Sequence, residues 1–175
     1  MSSFKNRIFR ALRLDVNLYE EVEADKTAGF QAMGVVVLSS IAAGLGSIQR
    51  GGLAGILGGT IIALIGWYIW AYLTYFIGTK ILPEPQTKAD LGELLRTIGF
   101  SSSPGLIRVL AVIPGLGHIV FLAASIWMLI AMIIAVRQAL DYKSTLRAVG
   151  VCAIGWIIQI LIFALVLSVL GVKPV

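Results

Sequence analysis

Long runs of apolar residues dominate the chain and predict several helices that cross a membrane. Residues 28–48, 53–79 and 148–172 carry no charged side chain over 21, 27 and 25 positions. At about 1.5 Å per residue, each run is long enough for a helix across a hydrocarbon core of about 30 Å. The lengths of these uncharged runs alone therefore predict three membrane-spanning helices.

A fourth apolar stretch, residues 109–136, is interrupted near its start by a Pro-Gly-Leu-Gly turn. Because neither proline nor glycine suits a helix interior, we place its helix at about 116–136. The residues before the turn, 101–113, form only about 20 Å of helix and include Arg108. We therefore expect a third span at about 97–113 that is short or broken and sheltered by its neighbours.

The distribution of basic residues distinguishes five crossings from four, because Lys and Arg accumulate in short cytoplasmic loops. With five crossings, the N-terminal segment and the second and fourth loops share one side and hold 11 of the 14 basic residues. Arg50 and Lys173 then lie on the other side, and Arg108 lies within the third span. If the third segment were re-entrant instead, three of these 11 basic residues would lie on the opposite side of the membrane. The pattern predicts a cytoplasmic N-terminus and five spans, at 28–48, 53–79, 97–113, 116–136 and 148–171.

The fold class predicted from these spans is an all-α polytopic membrane bundle with amphipathic surface helices. Residues 28–175 form the membrane domain, and residues 1–27 form a cytoplasmic segment that is too polar for a cleavable signal. Within that segment, residues 3–13 have the pattern of a helix on an anionic membrane surface, with Arg7 and Arg10 as candidate lipid contacts. The alternative is a solvated helix docked on the spans.

Capping residues indicate two helix starts outside the spans. Asn17, with Glu20 three residues later, suits a capping box for a short helix through Ala24. In the second loop, Thr87 suits the cap of an amphipathic helix whose leucines recur at helical spacing up to Gly99. A second surface helix is therefore expected beside the bundle.

Composition supports a membrane protein and excludes other classes. The 175 residues are 58% hydrophobic and 13% charged, with a mean hydropathy of +0.93, whereas a soluble domain is roughly 25% charged. The net charge of +5 is dispersed through short connectors, so it indicates topology rather than a nucleic-acid partner. Cys152 is the sole cysteine, which leaves no intramolecular disulfide and no cysteine-based metal site.

The sequence offers little support for catalytic or cofactor chemistry. No Asp or Glu falls inside a predicted span, which argues against an ion-coupled carrier. Serines 101–103 and His118 do not match the Gly-x-Ser-x-Gly pattern of a nucleophile elbow, and hydroxyls before a proline commonly satisfy backbone groups. We therefore expect a non-enzymatic protein without a cofactor or metal.

Two polar residues inside the predicted spans are candidate contacts for a lipid or a partner. Arg108 can extend to the membrane interface, bind a lipid phosphate, or pair with a carboxylate such as Glu93 or Asp141. Gln159 suits a hydrogen bond to a neighbouring helix.

Glycines recur every four residues along the second span, at Gly51, Gly55 and Gly59. Small residues at this spacing let helix backbones approach closely. Small residues also share one face of the first span, at Ala28, Ala32, Ser40 and Gly44. The glycine face is therefore expected to pack against a helix, either of the same chain or of a neighbouring subunit.

Three short segments, taken together in this order, carry a resemblance to a known family. They are Gly99-Phe100-Ser101-Ser102-Ser103-Pro104-Gly105-Leu106, Pro114-Gly115-Leu116-Gly117 and Arg137-Gln138-Ala139-Leu140-Asp141. The chain resembles the compact bacterial members of the Yip1 domain family, which implies a five-helix bundle with a cytosolic N-terminus. Eukaryotic members are associated with vesicle traffic and small GTPases. That role is not carried over, because Leu18-Tyr19-Glu20 departs from their acidic Tyr-Gly-Pro element.

The expected function is that of a membrane-organising or interaction module in the bacterial inner membrane. One alternative is an accessory subunit of a larger respiratory or photosynthetic complex. Another is a lipid or small-solute transporter, which predicts a polar cavity reaching Arg108 and Gln159. The expected partners are membrane lipids, with a homo-oligomer or a larger membrane complex as further possibilities.

Overall fold

Seven α-helices and no β-strand form the described part of the chain. A computed structural model describes residues 3–169, with all their side chains except those of Arg50, Phe163 and residues 165–169. The predicted all-α bundle is confirmed. The helices are α1 (Phe4–Leu12), α2 (Val16–Ala24), α3 (Ala28–Gly46), α4 (Ile48–Phe76), α5 (Leu91–Ser101), α6 (Gly117–Ala139) and α7 (Thr145–Val169). A π-helical turn (Ile77–Ile81) follows α4, and a 3₁₀ segment (Ser103–Val112) follows α5.

Four helical stretches are long and apolar enough to cross a membrane. They are α3, Gly51–Ile81, α6 and Thr145–Ile162. These stretches correspond to the predicted first, second, fourth and fifth spans. The last two residues of the predicted fifth span, 170–171, and Lys173 lie outside the described residues.

The third segment runs through the bundle in two pieces. By their residue counts, α5 covers about 16 Å and the 3₁₀ segment about 20 Å, so together they match the length of the other spans. The predicted break is present, because α5 ends at Ser101 and Pro104 lies in the first turn of the 3₁₀ segment, where its missing N–H breaks no hydrogen bond. The predicted start near residue 97 is wrong. The helix expected on the surface is instead the first half of this segment, beginning at Leu91.

Asp15 caps α2 and Asp90 caps α5, so the caps predicted for these two helices are wrong. The Asp90 carboxylate accepts the Glu93 N–H at 2.8 Å and the Glu93 carboxylate accepts the Asp90 N–H at 2.8 Å, so Thr87 is not the cap. The Asp15 carboxylate accepts the Asn17 N–H at 3.0 Å, so α2 starts two residues earlier than expected. A carboxylate also interacts favourably with the positive end of the helix dipole.

Glycines bring the third segment into close contact with α3. A Cβ at Gly99 would lie 2.7 Å from the Ala32 Cβ, and one at Gly105 would lie 2.0 Å from the Ser39 Oγ. Phe100, between them in sequence, is fully buried. The broken segment is therefore sheltered by its neighbours, as a span with irregular backbone must be in lipid.

The polar segments of the chain meet at one end of the bundle, which we call the polar end: α1, α2 and residues 82–90 and 140–144. Side chains link these segments. The links are Arg96 Nε to the Val22 carbonyl at 2.9 Å, Gln138 Nε2 to Glu20, the Lys143 N–H to Glu84 at 3.1 Å, and Tyr142 Oη to the Leu82 carbonyl at 2.6 Å. The N-terminal segment and the second and fourth loops therefore share one end of the molecule, in agreement with the arrangement that the basic residues predict.

The connections 45–49 and 113–117 lie together at the opposite end. Both line one cavity, and a Cβ at Gly46 would lie 2.2 Å from the Arg108 carbonyl oxygen. The third segment thus begins at the polar end and finishes at the opposite end. From α3 to α6, the chain passes between the two ends four times, and α7 begins at the polar end.

Candidate functional site

Arg108 lies in the 3₁₀ segment with few partners for its charge. Its Nη2 donates to the Ser125 hydroxyl at 3.2 Å, and its guanidinium carbon lies 5.5 Å from the centroid of the Phe121 ring. The Nε atom is buried and has no hydrogen-bond partner among the described residues. Pairing with a carboxylate such as Glu93 or Asp141, one of the three options that the sequence left open, does not occur among the described residues. The Glu93 carboxylate is instead occupied by the cap of α5.

The side chain of Arg108 extends to α6, where it hydrogen-bonds to the exposed Ser125 hydroxyl. Ser125, which it contacts, is eight residues into α6, or about 12 Å from the start of that helix. The surrounding stretch of α6 is the most apolar of the candidate spans. Extension to the interface, the first option considered for Arg108, is therefore not the arrangement present.

Two cavities meet at Arg108. The larger, about 720 Å³, lies between α3, α4, the 3₁₀ segment and α6, with His118 at its outer end. The smaller, about 270 Å³, is lined by Arg108, Gln159, Ser102 and several Trp and Met side chains. Arg108 and Gln159 thus share a cavity. The hydrogen bond predicted for Gln159 is absent among the described residues.

The glycine face of α4 meets no other helix in the described chain. A Cβ at Gly51, Gly55 or Gly59 would have no atom within 4 Å. The predicted packing against another span of the same chain is therefore absent there, and Gly55 and Gly59 instead line the larger cavity. On α3, however, the predicted small-residue face does pack closely, since the Ile56 side chain lies 2.8 Å from a Cβ built at Gly44.

Arg7 lies in a buried network and not on a lipid-facing surface. It is 1% exposed, donates to Glu21 at 2.9 and 3.0 Å and to Asp25 at 2.7 Å, and donates to Gln31 of α3 at 2.9 Å. Burial lowers the pKa of Arg7, but its hydrogen bonds to these carboxylates outweigh burial, so the net shift is upward. The lipid contact predicted for Arg7 is wrong, and the docked-helix alternative describes α1.

Arg10 belongs to the same network. It donates to Asp15 at 2.7 Å and to Glu21. The hydrogen bond to Arg10 lowers the pKa of Asp15, and hydrogen bonds from Thr27 and Arg7 lower that of Asp25 to about 2. Glu21 of α2 and the residues that flank this helix, Asp15 and Asp25, therefore hold α1 in place.

The outer face of α1 carries Lys5, Phe9 and Arg13 at four-residue spacing. All three are exposed, Phe9 by 52% of its surface. The exposed basic residues of α1 and its C-terminal cap are thus Lys5 and Arg13. Sequence reasoning missed the assignment because the partners of Arg7 lie on α2 and α3, outside the periodicity of α1.

The hydroxyls near the break of the third segment serve the backbone. Ser101 Oγ donates to the Ile98 carbonyl and Ser103 Oγ to the Phe100 carbonyl, each at 2.7 Å. Within residues 3–169, no three His, Cys, Asp or Glu side chains come together to hold a metal ion.

Glu23 makes the stability of the polar end depend on pH. Burial raises the pKa of its carboxyl from 4.5 to about 8, with Glu20, Glu93 and Asp141 adding to the rise and Arg96 opposing it. The folded protein therefore keeps this proton up to about pH 8, whereas the unfolded chain loses it near pH 4.5. Stability from the neutral carboxyl is present at low pH and lost as pH rises from 5 to 8.

We expect the thermal midpoint of the purified protein to fall between pH 5 and 8, and Glu23→Gln to flatten this part of the curve. Asp90→Asn is a matched control, because asparagine caps a helix as well as aspartate and the residue is exposed. A pH dependence in Glu23→Gln equal to that of the wild type would show that another group is responsible.

The comparisons with known proteins returned one family. The family model described as Yip1 domain matches residues 21–167. No curated protein and no solved structure matches the chain.

Proposed function

We propose, because this chain belongs to the Yip1 domain family, that it acts as a non-enzymatic module that organises the membrane or binds partners at its surface. The family and the four apolar helices together identify a multi-pass membrane protein of Yip1 type. The membrane domain supplies the anchor. The polar end supplies the surface at which recognition takes place.

The interlocked polar end is the observation that carries this proposal. Arg7 joins α1 to α2 and α3, and Arg96 joins α2 to α5 through the Val22 carbonyl. A surface ordered in advance binds without the entropy cost of ordering it later. On this surface the exposed Lys5 and Arg13 suit anionic headgroups or an acidic partner.

The proposed location is the bacterial inner membrane with the polar end in the cytoplasm. Of the 14 basic residues, 11 belong to the N-terminal segment and to the second and fourth loops. Short loops rich in Lys and Arg stay on the cytoplasmic side. The motifs shared with compact bacterial members support the bacterial assignment.

An accessory subunit of a larger membrane complex is the second candidate, and α4 favours it. Leu53, Leu57 and Ile61 are exposed, and the glycines at 51, 55, 58 and 59 have open space beside them. A neighbouring polypeptide helix packed on α4 would explain why the helices of the same chain leave these positions uncovered.

Native mass spectrometry of the full chain, extracted gently from its own membranes, tests the proposal. A single chain or a homo-oligomer that carries lipid is the expected result for a self-sufficient module. A fixed-ratio complex with a different polypeptide held on α4, and not at the polar end, would overturn it in favour of the accessory subunit. Replacement of the exposed α4 residue Leu57 by Trp should then disrupt that complex, whereas Trp at Phe9 should not.

A further inference from the structure

We propose that Arg108 binds the phosphate group of an anionic amphiphile whose apolar part occupies the larger cavity. The inference depends on the cavity and its charge, so it stands whether or not the module proposed above has a polypeptide partner. Three observations support it: an incompletely paired charge, a cavity of matching size, and an opening toward lipid.

The charge of Arg108 lacks a counterion within the described residues. A charged side chain in an apolar span is costly unless an opposite charge or several hydrogen bonds accompany it. Arg108 has one hydrogen bond, to the Ser125 hydroxyl, and one aromatic ring at its side, while its Nε remains buried and unpartnered. A phosphate accepts two parallel hydrogen bonds from a guanidinium and would supply the missing charge.

The cavity beside Arg108 is larger than a phosphate needs. Its volume is about 720 Å³. Sites that bind small organic ligands have volumes of about 300 to 1,000 Å³. Gly55, Gly59 and Ala63 form its α4 wall, and apolar side chains such as Val112 and Ile113 line the other side. Space of this kind suits an acyl chain attached to the phosphate.

The α4 wall also opens the cavity to the membrane. Gly55 and Gly59 line the cavity and are themselves exposed. A lipid can therefore reach Arg108 sideways from the bilayer, without passing through the polar end.

Binding is tested on the full-length protein in detergent by titration with dioleoyl phosphatidylglycerol, read by native mass spectrometry. Arg108→Gln should weaken binding about tenfold or more, the size expected for loss of a charged hydrogen-bonding partner. Lys80→Gln removes a positive charge from an exposed site outside the polar end and should leave this binding unchanged. Dioleoylglycerol, which lacks the phosphate, should show no dependence on Arg108.

A second pair of variants tests the cavity with Arg108 intact. Gly59→Leu fills the cavity wall and should also weaken phosphatidylglycerol binding about tenfold, whereas Gly58→Leu adds the same side chain outside the cavity and should not. Equal binding by wild type, Arg108→Gln and Gly59→Leu would overturn the proposal. So would Arg108-dependent binding of glycerol 3-phosphate without binding of the phospholipid, since the ligand would then be a soluble phosphate ester.

Discussion

Replacing Arg7 with alanine is expected to destabilise the folded protein by about 3 kcal/mol, the scale on which removing one partner of a buried ion pair acts. The guanidinium is 1% exposed and donates to Glu21, Asp25 and Gln31. Without it, Glu21 and Asp25 lose the guanidinium that they share, and Gln31 loses the donor that joins α1 to α3. We therefore expect α1 to separate from α2 before the membrane helices unfold.

Equilibrium unfolding in mixed micelles and limited proteolysis measure the two parts of this expectation. Arg7→Ala should lower the free energy of unfolding and speed cleavage between α1 and α2. Arg13→Ala, on the exposed face at the end of the same helix, should change stability by less than about 0.5 kcal/mol. Similar results for both variants would show that the buried network does not hold α1.

Replacing Gly46 with alanine is expected to destabilise the protein by about 3 kcal/mol, at the upper end of the usual cost of overpacking. A Cβ there would lie 2.2 Å from the Arg108 carbonyl oxygen and 3.0 Å from the Ala111 Cβ. The nearest atom belongs to backbone and cannot rotate away. Relief therefore requires α3 and the 3₁₀ segment to move apart at the end of the bundle opposite the polar end.

Gly58→Ala is the matched control for Gly46→Ala, because a Cβ at Gly58 meets no atom within 4 Å. Alanine in a helix interior is preferred over glycine by roughly 1 kcal/mol, so this variant should be neutral or slightly more stable. Thermal unfolding followed by tryptophan fluorescence distinguishes the two. If both variants melt together with the wild type, the close approach at Gly46 is not a feature of the protein in solution.

Four of the spans were predictable because the length of an uncharged apolar run is enough to identify a membrane-spanning helix. The third segment was predictable only in part. Its break near Pro104 follows from the proline, but its start at Leu91 lies in a stretch whose amphipathic pattern equally describes a surface helix. Only the burial of Leu94, Ile98 and Phe100 distinguishes the two, and burial depends on tertiary packing.

The candidate site shows the same limit. Arg108 was identifiable as a charge in an apolar context, yet the sequence left open whether it reached the interface or a carboxylate. Its real neighbours, Ser125 and Phe121, lie on the next helix, one turn apart. Glycine spacing misled for a related reason. The regular Gly55 and Gly59 of α4 line a cavity, whereas close contacts occur at Gly99 and Gly105 of the third segment and at Gly44 and Gly46 of α3.

Cysteine labelling from either side of the membrane tests most directly whether the broken third segment crosses it. Single cysteines at Lys88 and Pro114 bracket the segment, both positions are exposed, and Cys152→Ala removes the native thiol. A membrane-impermeant thiol reagent should reach them from opposite sides, with Gln49→Cys labelling alongside Pro114→Cys. Labelling of the Lys88 and Pro114 cysteines from the same side would show a re-entrant segment and contradict the five-pass bundle.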